Sequence, residues 1–369
     1  AAFYFVIILS LEQEWKFSYD ELISLWTLGA LLIGLGALPA GWLSDKWSRS
    51  SMMVIMFFGM GFSSILCGLS NDNTFLFFSL SILGLFCSIY HPVGIAWVVN
   101  SSKKKGKALG INGIFGGVGI GLGAFIAGTF VEYFGWRSAF IIPGIISILL
   151  SLIVFILIFK GLISYKNIKS IDLEEKHSTN NLIVIAIILL ISMFSIGLTF
   201  QILQTSIPKI LDMRINNIST FQIGFTIAII YCFSGAMTVV GGLLADRYSL
   251  KIIYVAGIIA QAPCYFFIAS FSGISLIVVC LLAMLFNSSI LPTENILLAK
   301  FTPEEHHGLI YGVKFIVSFG AAPLGVYLVA KSYELTFEFN YLFILVSFIM
   351  ALIGLLTLFL PIKNLSNTY

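Results

Sequence analysis

Residues 41–50 read GWLSDKWSRS, and residues 242–251 read GLLADRYSLK. Each segment follows an apolar run, begins with glycine, and carries an aspartate followed by a basic residue at its fifth and sixth positions. The two segments lie 201 positions apart, and Pro92 and Pro292 repeat the pattern at an offset of 200. A nearly constant offset indicates an internal duplication. The sequence therefore predicts two similar halves.

The composition around these segments is that of a membrane protein. The 369 residues are 59% hydrophobic and 10% charged, whereas soluble domains carry about 25% charged residues. The apolar residues form long uncharged runs that match or exceed the roughly 20 residues a membrane-spanning helix needs. A transmembrane β-barrel would instead alternate apolar and polar residues. We predict an all-α polytopic membrane protein.

The apolar runs predict twelve transmembrane helices in two pseudo-symmetric bundles. The first run is too short to span, and we interpret it as part of a first helix truncated at its N-terminus; a signal-peptide core is disfavoured because no basic n-region precedes it. The predicted segments are 1–12, 21–43, 51–70, 74–99, 107–131, 138–159, 182–208, 219–245, 252–271, 274–299, 308–330 and 339–361. The predicted domains are a bundle at 1–159, a polar cytoplasmic linker at 160–181, and a second bundle at 182–369.

Lysines and arginines are distributed unevenly over alternate loops. One side carries fourteen of them and the other side five, with Lys314 inside a helix. Because cytoplasmic loops are enriched in basic residues, we expect both termini in the cytoplasm. The high Ile, Asn and Lys content is typical of an AT-rich bacterial genome, so we expect a bacterial inner membrane.

The segment at 41–50 resembles the signature loop of the major facilitator superfamily, Gly-x-Leu-x-Asp-(Arg/Lys)-x-Gly-(Arg/Lys)-(Arg/Lys), and 242–251 is similar to its second copy. Ser48 and Ser50 depart from that pattern. In the family this loop latches the two halves on the cytoplasmic side, and the alternative is that it only ends helices and holds loops. The resemblance implies that the gating residues are Gly41, Asp45, Lys46, Arg49, Gly242, Asp246 and Arg247.

Three ionisable residues fall inside predicted spanning helices. Such groups are costly in a bilayer and are functional candidates by default. Glu294 and Lys314 lie at matched depth in consecutive antiparallel helices, so we predict an ion pair, either static or broken by a proton or an anionic substrate. His91 precedes Pro92, and it could serve a proton relay or satisfy a carbonyl that the proline frees.

Polar side chains also recur inside the helices. In the major facilitator superfamily helices 1, 4, 7 and 10 line a central cavity, so the resemblance implies a substrate path there. The alternative is that amides join helices by hydrogen bonds. The further candidates for substrate binding or coupling are Asn287, Gln201, Gln204, Tyr90 and Tyr231.

The fifth predicted helix is rich in glycine. Gly113, Gly117 and Gly121 recur at every fourth position, and Gly116, Gly119 and Gly123 occupy another side. Small residues at this spacing permit close helix contact.

These observations favour a secondary active transporter of a small solute, with proton coupling and a preference for an organic anion because of Lys314. The alternatives are an efflux pump of the same fold and a non-transporting assembly factor or sensor. The sequence shows neither a P-loop nor a nucleophile elbow, so an enzyme is disfavoured. We expect a monomer in the lipid bilayer that uses a proton gradient, with no cofactor, metal site, disulfide or nucleic-acid partner.

Overall fold

The structure, a computed structural model, describes residues 2–94, 97–98, 105–163, 182–300 and 307–360, and these residues form helices and no strand. This confirms the predicted all-α class. The first half holds α1 (Ala2–Trp15), α2 (Tyr19–Ser24), α3 (Thr27–Lys46), α4 (Arg49–Gly68), α5 (Asn73–Cys87), a π-helical turn (Tyr90–Gly94), α6 (Lys105–Phe134) and α7 (Trp136–Phe159). The second half holds α8 (Leu182–Arg214), α9 (Thr220–Arg247), α10 (Leu250–Ile268), α11 (Gly273–Lys300), α12 (His307–Thr336) and α13 (Asn340–Thr357).

Eleven spans among the described residues are long and apolar enough to cross a membrane, one of them made of α2 and α3 together. Helix α1 adds a twelfth helical segment of 14 residues. The predicted segments differ from the structure at several places, including α12, which ends at Thr336 and not at residue 330. A turn at Leu25 and Trp26 divides the second segment, a π-helical turn follows α5 in the fourth, and α8 continues to Arg214. This continuation places Lys209 inside a helix.

The π-helical turn contains Pro92, which provides the physical reason for it. Proline lacks an N–H and its ring displaces the carbonyl one turn earlier, so the regular hydrogen-bond ladder cannot continue through it. A one-residue widening of the helix accommodates this break, and such widenings occur often at functional sites. The sequence run 74–99 carries no signal for it beyond the proline itself.

Local signals fix several helix ends. The Asp72 side chain accepts a hydrogen bond from the Phe75 N–H at 2.8 Å and caps α5. Ser48 accepts a bond from the Ser51 N–H at 3.3 Å and caps α4. Gly135 joins α6 to α7 at a φ of 81°, a conformation that favours glycine.

The described residues group into two compact units. The first takes its described residues from Ala1–Asn112, Leu122–Ile171 and Ile218–Phe225, and the second takes its described residues from Gly113–Gly121, Asp172–Asn217 and Thr226–Tyr369. The division at 160–181 remains a prediction, because residues 164–181 of that linker lie outside the described part.

Small residues and hydroxyls join neighbouring helices within each unit. In the first unit a Cβ added to Gly61 on α4 would lie 2.5 Å from the Gly144 carbonyl oxygen on α7. Ser147 on α7 donates to the Phe57 carbonyl at 2.7 Å. In the second unit Ser347 on α13 donates to the Ala262 carbonyl on α10 at 2.8 Å. These contacts need backbones at close range, which only small side chains allow.

Two arginines that the sequence analysis assigns to loops donate hydrogen bonds to carbonyl oxygens at the ends of helices. Arg137 donates to the Ser70 carbonyl oxygen at 2.6 Å, just beyond α4. Arg214 donates to the Ile268 carbonyl oxygen at 2.6 Å, at the end of α10, and pairs with Glu338 at 2.6 Å. Each guanidinium therefore satisfies carbonyls that have no partner within their own helix.

The glycines of α6 divide into two groups. A Cβ at Gly117 would lie 2.6 Å from the Gly235 Cα on α9, and one at Gly121 would lie 2.8 Å from the Ala228 carbonyl oxygen; all four residues belong to the second unit. Beyond the adjoining backbone of α6 itself, no atom of the described residues lies within 4 Å of a Cβ built at Gly113, Gly116, Gly119 or Gly123. Of the two predicted glycine faces, only the one that carries Gly117 and Gly121 makes close contact with another helix in the part of the chain that the structure describes.

Candidate functional site

Glu294 on α11 and Lys314 on α12 form a buried ion pair. The Lys314 Nζ lies 2.6 Å from the Glu294 Oε1, and the two side chains are 10% and 3% exposed, respectively. Lys314 also donates a hydrogen bond to the Asn295 side-chain oxygen. Removing two charges from water is costly unless their remaining hydrogen-bonding capacity is satisfied. The structure thus brings together the two charges that the sequence places at matched depth.

Sequence reasoning missed a buried hydrogen bond between α10 and α8. The Tyr254 hydroxyl on α10 lies 2.7 Å from the Ser192 Oγ on α8. Both side chains are fully buried. Neither carries a charge, and each sits in an apolar run, so no sequence signal singles them out. Of the polar side chains in this region, Asn295 contacts the ion pair directly, through Lys314.

Asn287 lies on α11, two turns before Glu294, and it is buried too. Its Nδ2 donates to the Gln261 Oε1 on α10 at 3.2 Å, and the Gln261 Nε2 donates to the Gly257 carbonyl at 3.1 Å. This contact fits the alternative considered for the polar residues, in which amides join helices by hydrogen bonds.

The predicted residues Gln204 and Tyr231 lie on α8 and α9, respectively. The Tyr231 hydroxyl oxygen has no hydrogen-bond partner among the described residues. Gln201, three residues before Gln204, donates to the Thr205 hydroxyl within α8 at 3.0 Å. All three predicted side chains are buried.

His91 and Tyr90 lie in the π-helical turn, in the first unit. Their rings meet edge to face at 5.3 Å between centroids. The Tyr90 hydroxyl donates to the Asn112 Oδ1 on α6 at 3.0 Å. The turn is thereby tied to α6 beside the histidine. Glu294 and Lys314 lie in the second unit.

The residues implied as gating residues lie at the ends of α3 and α9 and at the start of α4. The Lys46 Nζ lies 4.1 Å above the Trp42 ring, and a Cβ at Gly41 would meet the Pro92 Cβ at 3.3 Å. Gly242, Asp246 and Arg247 occupy the last turns of α9, where Asp246 and Arg247 are exposed. Arg49 begins α4. The Asp45 side chain lies outside the described part of the structure.

The chain was compared with models of protein families. The model described as Major Facilitator Superfamily matches residues 1–212 and again 185–367. The chain belongs to the Major Facilitator Superfamily. Membership in this superfamily of transporters also confirms that the chain is not an enzyme.

Curated members of the superfamily match over shorter stretches. The riboflavin transporter RibZ of Clostridioides difficile is 31% identical over 148 residues, which cover 39% of this chain and 32% of RibZ. The 4-hydroxybenzoate transporter PcaK of Pseudomonas putida is 29% identical over 154 residues, which cover 40% of this chain and 33% of PcaK. The matches thus span about a third of the length of each relative.

Among solved structures, the inward-open xylose transporter XylE from E. coli matches with a TM-score of 0.74. The match covers 99% of this chain and 94% of XylE at 13% sequence identity. This likeness confirms the fold.

Proposed function

We propose that the protein is a secondary active transporter that moves a small organic anion by alternating access and couples this movement to protons. We place it as a monomer in a bacterial inner membrane with both termini in the cytoplasm. The observation that carries the proposal is the buried Glu294–Lys314 pair, because ionisable groups inside a membrane are retained chiefly where they serve transport.

The pair suits coupling between a proton and an anion. Protonation of Glu294 removes the negative partner of Lys314, and the ammonium then offers its charge to an incoming anion. Asn295 holds the ammonium in place throughout this exchange, because its amide oxygen accepts from Lys314 independently of Glu294. A carboxylate on the substrate would restore a charge-assisted hydrogen bond.

The relatives support the choice of substrate class. PcaK is named for 4-hydroxybenzoate, an aromatic carboxylate, and RibZ is named for riboflavin, a planar heteroaromatic compound. Both are small organic solutes. A substrate panel should therefore include aromatic carboxylates beside neutral aromatic compounds and sugars.

Reconstitution into liposomes tests this proposal. We expect 4-hydroxybenzoate or another aromatic carboxylate from the panel to accumulate when the outside is made more acidic than the lumen, and collapse of the gradient by a protonophore to abolish accumulation. Accumulation of the solute when the lumen, and not the outside, is made more acidic would indicate the efflux alternative. Failure of every solute to move would favour the assembly factor or sensor.

A further inference from the structure

The last turn of α6 and the first turn of α9 are joined by a hydrogen bond. The Glu132 carboxylate on α6 accepts from the Thr220 backbone N–H on α9 at 3.2 Å. Glu132 is exposed, and the two residues lie 88 positions apart, one in each half of the chain. A carboxylate is favoured at this place, because the first N–H groups of a helix lack partners within the helix and the helix dipole attracts negative charge.

Helix α9 does not need Glu132 in order to begin at Thr220. The Ser219 hydroxyl accepts from the Gln222 N–H at 3.2 Å, and the Gln222 side-chain oxygen accepts from the Ser219 N–H at 2.9 Å. This reciprocal pair is a complete capping box. The bond from Glu132 is therefore additional to the cap that α9 supplies for itself. Because the bond lies at an exposed position, water can replace it when the two helix ends separate.

Glycines bring the backbones of the two helices into contact next to this bond. A Cβ added to Gly128 on α6 would lie 2.6 Å from the Thr220 carbonyl oxygen and 3.1 Å from the Gly224 Cα on α9. A Cβ added to Gly224 would lie 2.5 Å from the Ala124 carbonyl oxygen. All four residues belong to the first unit. Only glycine permits so close an approach of the two helices.

Four aromatic rings from both helices also meet along this stretch. The Phe125 ring on α6 meets Phe221 and Phe225 on α9 edge to face, at 5.6 and 6.0 Å between centroids. Tyr133 on α6 meets Phe221 in the same way at 6.1 Å. Edge-to-face pairs are favourable beyond the apolar area that they bury. Closure of these helix ends therefore combines aromatic contact with one charged hydrogen bond.

We propose that Glu132 and the first turn of α9 form an outer gate, which is closed when the carboxylate accepts from the Thr220 N–H and opens when that bond breaks. The inference rests on the proposed function, because alternating access requires the outer ends of helices from opposite halves to separate when the site faces outward. The proposed topology places these ends of α6 and α9 outside. Glu132 lies apart from the repeated segments at 41–50 and 242–251, which imply the cytoplasmic gating residues.

Hydrogen–deuterium exchange of the protein in lipid nanodiscs, measured by mass spectrometry without any solute, tests the proposal. The backbone amides to follow are those of residues 122–134 in α6 and 220–228 in α9. Glu132→Ala removes the acceptor, so exchange should become up to about fivefold faster in both segments, which corresponds to the usual contribution of a charge at a helix N-terminus. Glu132→Gln keeps an acceptor oxygen at the same place and should restore most of the slow exchange.

Ser219→Ala is the matched control at the same helix end. It removes the hydroxyl with which α9 caps itself and leaves Glu132 in place. Because this loss affects one helix only, exchange should become faster in the first turn of α9 and stay unchanged in residues 122–134. A variant that merely weakens the start of α9 is thereby distinguished from one that opens the gate.

A glycine pair on α6 tests the backbone contact separately. Gly128→Ala places a methyl group against the Thr220 carbonyl oxygen and should hold the gate open, so exchange should rise in both segments. Gly123→Ala lies on the same helix, where no atom of the described residues beyond the adjoining α6 backbone comes within 4 Å of the added Cβ. It should raise exchange in neither segment.

Three results would overturn the proposal: a rise confined to α9 in Glu132→Ala, unchanged exchange in both segments of that variant, or no difference between Gly128→Ala and Gly123→Ala. Should Gly128→Ala fail to fold, the variants of the exposed Glu132 decide the test. Proton-driven transport with unchanged exchange would reject the gate and support the proposed function. Faster exchange of both segments in a protein that moves no solute would reject the proposed function and support the reversible outer closure.

Discussion

Replacing Lys314 by methionine leaves the Glu294 carboxylate buried without its cation. The Glu294 side chain is 3% exposed, so water cannot compensate for the loss. Removal of one partner from a buried pair costs about 3–5 kcal/mol of unfolding free energy, whereas replacement of both partners by uncharged side chains is often neutral. We therefore expect Lys314→Met to destabilise the protein by that amount, and the double variant Glu294→Gln/Lys314→Met to recover most of it.

A double-mutant cycle measured by detergent-induced unfolding in mixed micelles tests this expectation. The matched control is the pair Lys331–Glu334 on the same helix, whose side chains are 43% and 51% exposed and whose nitrogen and oxygen lie 2.9 Å apart. Exposed pairs contribute at most about 1 kcal/mol. Coupling between Glu294 and Lys314 no larger than in this control would refute the reasoning from burial.

Two further predictions concern helix contacts. Gly117→Ala should destabilise the protein by about 1–3 kcal/mol because its Cβ would meet the Gly235 backbone, whereas Gly119→Ala, with open space around it, should be neutral in the same unfolding assay. Asn287→Ala should cost about 1–3 kcal/mol, since it leaves the Gln261 oxygen without its donor; a loss of binding of a transported solute without a loss of stability would instead assign Asn287 to the substrate path.

The sequence predicts the membrane-spanning elements well because their signal is strong and local. The run that becomes α7 carries a single charge, Arg137 at its start, and is otherwise mostly apolar, so only a spanning helix accommodates it. The ion pair was also predictable, since charges are rare in such runs and helical rise converts spacing from the loop into depth. Glu294 and Lys314 meet because they lie at the same depth in consecutive helices.

Contacts between neutral side chains were not predictable in the same way. Tyr254 and Ser192 meet because α8, α10 and α11 pack against one another, and nothing in an apolar run marks the side that faces a neighbour. The glycines of α6 show the same limit. Their spacing indicates two smooth faces, but only the packing of α9 distinguishes Gly117 from Gly119.

The central claim, that Glu294 couples transport to protons, is tested most directly by comparing two transport modes in liposomes for a solute that the panel identifies. Glu294→Gln keeps the side-chain shape but cannot take up a proton. We predict that it retains exchange of labelled for unlabelled solute and loses accumulation driven by a pH gradient, while Glu334→Gln, an exposed control on α12, retains both. Undiminished gradient-driven accumulation in Glu294→Gln would contradict the account.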